Sequence, residues 1–187
     1  IPALGVSLLL NKSPFMIYFG QELGEKGMDE EGFSGVDGKT SIFDYWSIET
    51  VRNWLLHGIY PPIMSVYKEL FYIALNVEAF SIGSTYDLNY ANYDSDYFNN
   101  NFNYTFIRYY KKELYIIVAN FSKMEKILKI TIPEHLFVHF ELKNKSISTG
   151  KKIFGGTEEF DALNFRSPFK NTTKAYSLDI IKFNISN

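Results

Sequence analysis

Five apolar residues in a row, Phe15-Met16-Ile17-Tyr18-Phe19, stand between Pro14 and Gly20. The run is too short to cross a membrane and lacks the polar alternation of a half-exposed strand. It reads as a strand buried on both faces. Such a strand needs partners along its edges and cover above and below. Ahead of it, Ala3–Leu10 reads as a short buried helix, broken by Asn11, Lys12, Ser13 and Pro14. Helix, break and buried strand is an α/β rhythm.

Gly20 to Trp46 reads as a long loop rich in Gly and acidic residues, and loops of this length inside compact domains are often functional. Ser47 is placed to cap a short helix running to about Leu56, and His57 sits where a helix C-terminus favours a cation. Beyond the turn His57–Pro62, Ser65 is expected to cap a longer helix. Its apolar positions Val66, Leu70, Ile73, Val77 and Phe80 follow helical spacing up to Ile82-Gly83. Ser84–Asn103 is polar and Asn-rich and reads as a surface connection, partly mobile. From Tyr104 onward the chain turns strand-like. Strands are expected at Thr105–Tyr110, Leu114–Asn120, Ile127–Ile132, Leu136–Leu142, Lys152–Phe154 and Ala175–Phe183, with a hairpin turn at Lys111-Lys112-Glu113. Leu114–Ala119 is almost continuously apolar, which places it centrally in an antiparallel sandwich.

The totals narrow the function classes. With 187 residues, 46% of them hydrophobic, the chain can bury a real core. A net charge of −2 gives no basic surplus for nucleic acid. No apolar run approaches the ~18 residues of a membrane span, so no membrane insertion is expected. The absence of cysteine removes thiolate nucleophiles, disulfides and Cys-based zinc sites, and leaves the compartment open. Aromatic residues make up 18% of the chain, mostly Tyr and Phe. Aromatics stack on sugar rings and fill sheet interiors, but Asn and Lys are plentiful too, as codon bias would produce. The opening segment, which starts at Ile1, reads as the middle of a longer protein.

The stretch Pro14–Gly24, with Ile17, Tyr18, Phe19, Gly20, Gln21, Glu22 and Leu23, resembles the last barrel strand of the α-amylase superfamily of glycoside hydrolases. There the eighth strand reads roughly Pro-x-[IVL]-Tyr-[YF]-Gly-[DQ]-Glu-[ILV]-Gly. Phe15 and Met16 depart from it, standing where the family often has Gly or a small residue. The helix with Tyr67-Lys68-Glu69-Leu70 looks like the last barrel helix. Arg108 and the segment Ile117–Ser122 look like the opening of the β-sandwich called domain C.

The resemblance implies an α+β fold: a C-terminal antiparallel β-sandwich (domain C), preceded by a helical segment and one strand from the end of a truncated (β/α)8 barrel. By this reading, residues 1–83 are the barrel end, 84–103 the connection and 104–187 the sandwich. Family members cleave α-glucosidic bonds with retention, through two carboxylates. Those carboxylates and a third lie on the fourth, fifth and seventh strands, and the chain holds no Asn-His-Asp segment of the seventh strand. The expected parent is a starch- or maltodextrin-degrading glycosidase whose catalytic residues lie upstream of Ile1, so that this chain alone is inactive. An alternative is a non-catalytic carbohydrate-binding or structural β-sandwich module. The α-glucan partner would be reached through the missing barrel. The active-site rim would be Tyr18, Gln21 and Glu22, since strand C-termini build the site in such barrels. No cofactor is implied for this chain; calcium would belong to the parent enzyme. The buried strand and helix faces, parted from the rest of a barrel, should pack on the sandwich, self-associate through a second copy, or be poorly ordered.

Other groups have plainer readings. The loop acids Glu25, Asp29, Glu30, Glu31, Asp37 and Asp44, and the pair Asp94 and Asp96, lack EF-hand spacing and read as solvated side chains. His135 and His139, in expected strand context after Pro133, do not read as a zinc site. Trp54 reads as core. Trp46 and the cluster Tyr86, Tyr90, Tyr93 and Tyr97 could stack on glucan rings, with packing the simpler reading of the tyrosines.

Overall fold

The computed structural model describes residues 1–18, 20–25, 49–93, 95–143 and 145–186. The helices are α1 (Pro2–Leu9), α2 (Glu49–His57), α3 (Pro62–Asn76), α4 (Glu78–Ser81) and α5 (Glu134–His139). The strands are β1 (Ser84–Asp87), β2 (Asn103–Tyr110), β3 (Glu113–Asn120), β4 (Lys126–Ile130), β5 (Ser146–Ile147), β6 (Gly150–Phe154), β7 (Glu159–Phe160), β8 (Phe169–Thr173) and β9 (Ser177–Ser186). They form two compact units, one of Ile1–Ser13 with Ile73–Asn187, the other of Pro14–Tyr72. No described helix is long and apolar enough to cross a membrane.

The larger unit is built on an antiparallel sheet ordered β1-β2-β3-β9-β6-β7, with β5 also paired to β9. A second, two-stranded sheet joins β4 and β8. The β2–β3 hairpin turns on Lys111 and Lys112, with Tyr110 opposite Glu113 and Lys111 at φ 54°. Its successive side chains point to opposite faces. Leu114, Ile116 and Val118 of β3 enter the main core with Ile181 and Phe183 of β9, Leu128 and Ile130 of β4, and Leu136, Phe137 and Phe140 around α5. Each side chain of this size contributes about 1.5–3 kcal/mol when fully buried.

The opposite face of β3 is covered too. Tyr115 packs against Phe80 of α4 with ring centroids 5.2 Å apart. Gly5 of α1 lies so close to Leu178 of β9 that an added Cβ would come within 2.2 Å of its side chain. Helices on one face and the small sheet with α5 on the other explain why β3 is apolar at nearly every position. The strand is central, as its composition predicts, and covered on both sides.

Arg108 ties the helices to the sheet. Its side chain is fully buried on β2, and all five of its N–H donors find oxygen acceptors. Nε donates to Ala79 O at 2.8 Å, and Nη2 to Phe80 O and Gly83 O at 2.8 and 3.2 Å. Nη1 donates to Leu10 O at 3.1 Å and to Thr85 Oγ1. Burial lowers the guanidinium pKa. The carbonyls at the ends of α1 and α4 offset that cost, because helix C-termini carry partial negative charge.

Several expectations are corrected. Residues 15–18 form no strand; Met16 is 82% exposed, and Ile17 and Tyr18 are exposed as well. No described strand pairs with them, and a buried strand without a ladder would leave its backbone groups unsatisfied. Phe19 lies outside the described residues, as do Trp46, Ser47, Asp94 and the loop acids from Asp29 to Asp44. The second helix occupies Glu49–His57, with Gly58 at φ 62° ending it. Ser65 caps nothing: α3 starts at Pro62, and Ser65 Oγ donates back to Pro62 O at 2.7 Å. The expected single helix breaks at Val77, which is extended between α3 and α4.

Leu136–Leu142 is not a strand. Pro133 precedes a helical turn that buries Leu136, Phe137 and Phe140 and leaves Val138 exposed, a helical rather than an alternating pattern. Ser84–Asn103 is not a loose connection either. It holds β1 and buries Leu88 and Phe98, and its Asn side chains take the place of backbone partners. Asn92 accepts from Thr131 N–H at 2.7 Å and donates to Thr131 O at 3.2 Å, and Asn89 accepts from Thr105 N–H at 3.0 Å. A carboxamide carries the same donor and acceptor as a peptide group.

Candidate functional site

The expected rim residues belong to the smaller unit. Gly20 takes φ 81° and Gly24 φ 71°, bracketing one 3-10 turn at Gln21–Leu23. Positive φ at both positions is cheap only for glycine, which is how the sequence makes this tight loop. Backbone bonds close it: Gln21 N–H to Tyr18 O at 3.0 Å, Leu23 N–H to Gly20 O at 3.0 Å, and Glu25 N–H to Gly20 O at 3.1 Å. Leu23 is buried with Val51, partly buried Trp54 and Met64, and pins the turn to α2 and α3. The core reading of Trp54 holds.

Gln21 is exposed yet structurally engaged. Its Oε1 accepts from Tyr18 N–H at 3.1 Å, and its side chain is also hydrogen-bonded to the Tyr67 hydroxyl. Desolvation raises the Tyr67 pKa, the Gln21 bond opposes the shift, and the nearby Glu22 charge adds to it. Tyr18, Gln21, Glu22 and Tyr67 therefore form one small polar group. Sequence reasoning placed the first three together and used Tyr67 only as a marker of the last barrel helix.

Glu22 has the least settled environment of the four. Its Oε2 is buried and has no hydrogen-bond partner among the described residues, and a buried acceptor left unpaired costs about 1–3 kcal/mol. Glu25 is not a solvated loop acid. Its carboxylate accepts from both the N–H and the hydroxyl of Thr50, with 3.2 Å to the nitrogen. There, at the first turn of α2, the helix dipole favours an anion.

Among the described residues the rim thus offers one carboxylate with an unpaired buried oxygen, Glu22 Oε2. Retaining glycoside hydrolysis needs two carboxyl groups about 5–5.5 Å apart. The arrangement can position a hydroxyl-rich ligand or anchor a donor from another segment. No group of three or more His, Cys, Asp or Glu able to hold a metal occurs among the described residues.

The other candidates lie elsewhere. His57 is in the last turn of α2, at the helix C-terminus where its place in the sequence puts it. In the larger unit, Tyr86 packs against His135, His139 and Phe140. Tyr90 and Tyr93 are exposed, and Tyr97 lies under Lys129, whose Nζ is 3.4 Å from the ring centroid.

No protein-family model and no curated protein matches the chain. Solved structures do match. An α-amylase from Geobacillus thermoleovorans, complexed with acarbose, superimposes on 98% of this chain with a TM-score of 0.57 at 13% identity. An Anoxybacillus α-amylase superimposes on 100% of it with a TM-score of 0.59 at 11% identity. The isomaltulose synthase SmuA from Protaminobacter rubrum covers 98% with a TM-score of 0.56 at 19% identity. At such identities the likeness is one of fold: the chain has the fold of part of these α-amylase-family enzymes. It spans about a third of their length, 32% of each amylase and 38% of the synthase.

Proposed function

We propose that this chain is the C-terminal part of an α-amylase-type retaining glycosidase, supplying the last barrel segment and domain C, while the catalytic carboxylates reside in a preceding segment. The observation that carries the reading is the match itself: essentially the whole chain superimposes on about a third of each enzyme. The rim supports it. Tyr18, Gln21 and Glu22 are held by a Gly-bracketed turn, and the orphaned Glu22 Oε2 calls for a donor that the described residues do not provide. The smaller unit also exposes Met16, Leu55 and Leu56, at 82%, 68% and 68%, as expected of a surface that the rest of a barrel would cover.

In this reading the chain closes the barrel, presents Gln21 and Glu22 at the sugar-binding face and anchors the sandwich. Starch or a maltodextrin is the substrate of the whole protein. The purified 187-residue chain, incubated with soluble starch in a reducing-sugar assay, is expected to release nothing above a heat-treated control. Turnover that scales with protein concentration would refute the placement of catalysis outside it.

A further inference from the structure

The pair His135 and His139 changes meaning once its element is known. On a strand, two residues four apart share a face but stand too far apart to chelate one ion. On α5 they occupy successive turns of one helix face. Their rings are near-parallel, at 25°, with centroids 6.2 Å apart, and both residues are exposed. Imidazole nitrogens are donors that suit borderline dications.

A second observation points the same way. Tyr86 on β1 places its hydroxyl 3.0 Å from His135 Nδ1 and 2.5 Å from the Tyr90 hydroxyl. When the proton is on Nδ1, His135 donates to the Tyr86 hydroxyl, which leaves Nε2 as the ring's acceptor nitrogen. Outer partners of this kind fix the tautomer and ring orientation of ligating histidines.

We propose that His135 and His139 form a two-histidine site for a borderline transition-metal dication, with Tyr86 as its positioning residue. His135 binds through Nε2 and His139 through a ring nitrogen one turn on. No cluster of three such ligands exists among the described residues, so water completes the coordination shell and affinity is modest. The site sits on the larger unit and does not depend on the proposed glycosidase role.

The test is titration of the untagged chain with Ni2+ by isothermal calorimetry. One Ni2+ per chain is expected. His135→Gln and His139→Gln should each weaken binding at least about tenfold, and Tyr86→Phe about tenfold, with both ligands still present. Because these side chains are exposed or only half-buried, circular dichroism should stay at the wild-type signal. The third histidine of the chain, His57, provides the control: His57→Gln should bind as the wild type does. Wild-type affinity in His139→Gln, or an equal loss in His57→Gln, would overturn the site. Wild-type affinity in Tyr86→Phe would overturn the positioning role.

Discussion

Arg108→Met is expected to remove most of the stability of the larger unit. The substitution keeps an apolar stem of similar length and deletes every donor of the guanidinium. Leu10, Ala79, Phe80 and Gly83 would then each lose a hydrogen bond to a carbonyl that Arg108 now satisfies. Each buried acceptor stripped of its partner costs about 1–3 kcal/mol. Leu10 O keeps the Thr85 hydroxyl as a donor at 2.9 Å; the other three together amount to a large share of the ~5–15 kcal/mol of a typical domain. Arg108→Lys should be intermediate, because an ammonium has three donors and no planar fork. Urea unfolding followed by circular dichroism should show a large fall in midpoint for Met and a smaller one for Lys. Amide exchange should show α1 and α4 losing protection first. A loss under about 1 kcal/mol in the Met variant would mean that the carbonyls find other donors, and that Arg108 is not the tie between the helices and the sheet.

The second large effect concerns Lys152, whose ammonium is buried between Asp179 at 3.4 Å and Glu158 at 3.2 Å and donates to Thr172 O at 3.2 Å. Asp179 is itself buried and accepts from Asn171 Nδ2 at 2.7 Å. Desolvation raises its pKa, against the pull of Asn171, Lys152 and Thr173. Removing one member of a buried pair strands the other, at a cost of about 3–5 kcal/mol, whereas removing both is far milder. Lys152→Met is therefore expected to destabilise strongly at neutral pH, and Lys152→Met with Asp179→Asn to recover much of the loss.

The sign of the pH dependence follows from the direction of the Asp179 shift. A carboxyl whose folded pKa is raised favours folding below its unfolded value and loses that contribution as pH rises through its folded value. Lys152→Met removes an attraction that lowers this pKa, so its penalty should be largest at neutral pH and shrink on acidification through the aspartate range. A penalty independent of pH, or a double variant no better than the single one, would contradict the pairing. Unfolding midpoints measured across pH for the wild type, the single variant and the double variant decide it.

The sheet centre was legible because Leu114–Ala119 is apolar at nearly every position, and the small sheet's β4 because the chain alternates polar and apolar over Lys129–Ile132. Strand β8 was not. Its inward positions include Asn171 and Thr173, so its buried face looks polar in sequence and makes sense only once Asp179 is seen opposite. Arg108 stood out within a pattern, yet its role could not be read, because its acceptors are mostly backbone carbonyls with no residue signature. The helix α5 hid among β-branched and aromatic residues, although Pro133-Glu134 and His139 were start and stop signals available for reading. In the rim, Gly20 and Gly24 marked the turn plainly, whereas the link from Gln21 to Tyr67 joins residues far apart in the chain. The Asn-rich stretch is opaque for a related reason: its polar composition reads as solvent exposure, whereas the amides of Asn89 and Asn92 satisfy backbone groups of Thr105 and Thr131.

The central claim is that the carboxylates performing the chemistry lie in a segment encoded before Ile1. Sequencing the transcript immediately upstream of the Ile1 codon tests it most directly. The account predicts an open reading frame that continues upstream and encodes an Asn-His-Asp segment at the end of a preceding barrel strand, with the other two acidic strand ends further back. An initiation codon directly before Ile1, or an in-frame upstream sequence without that segment, would contradict it.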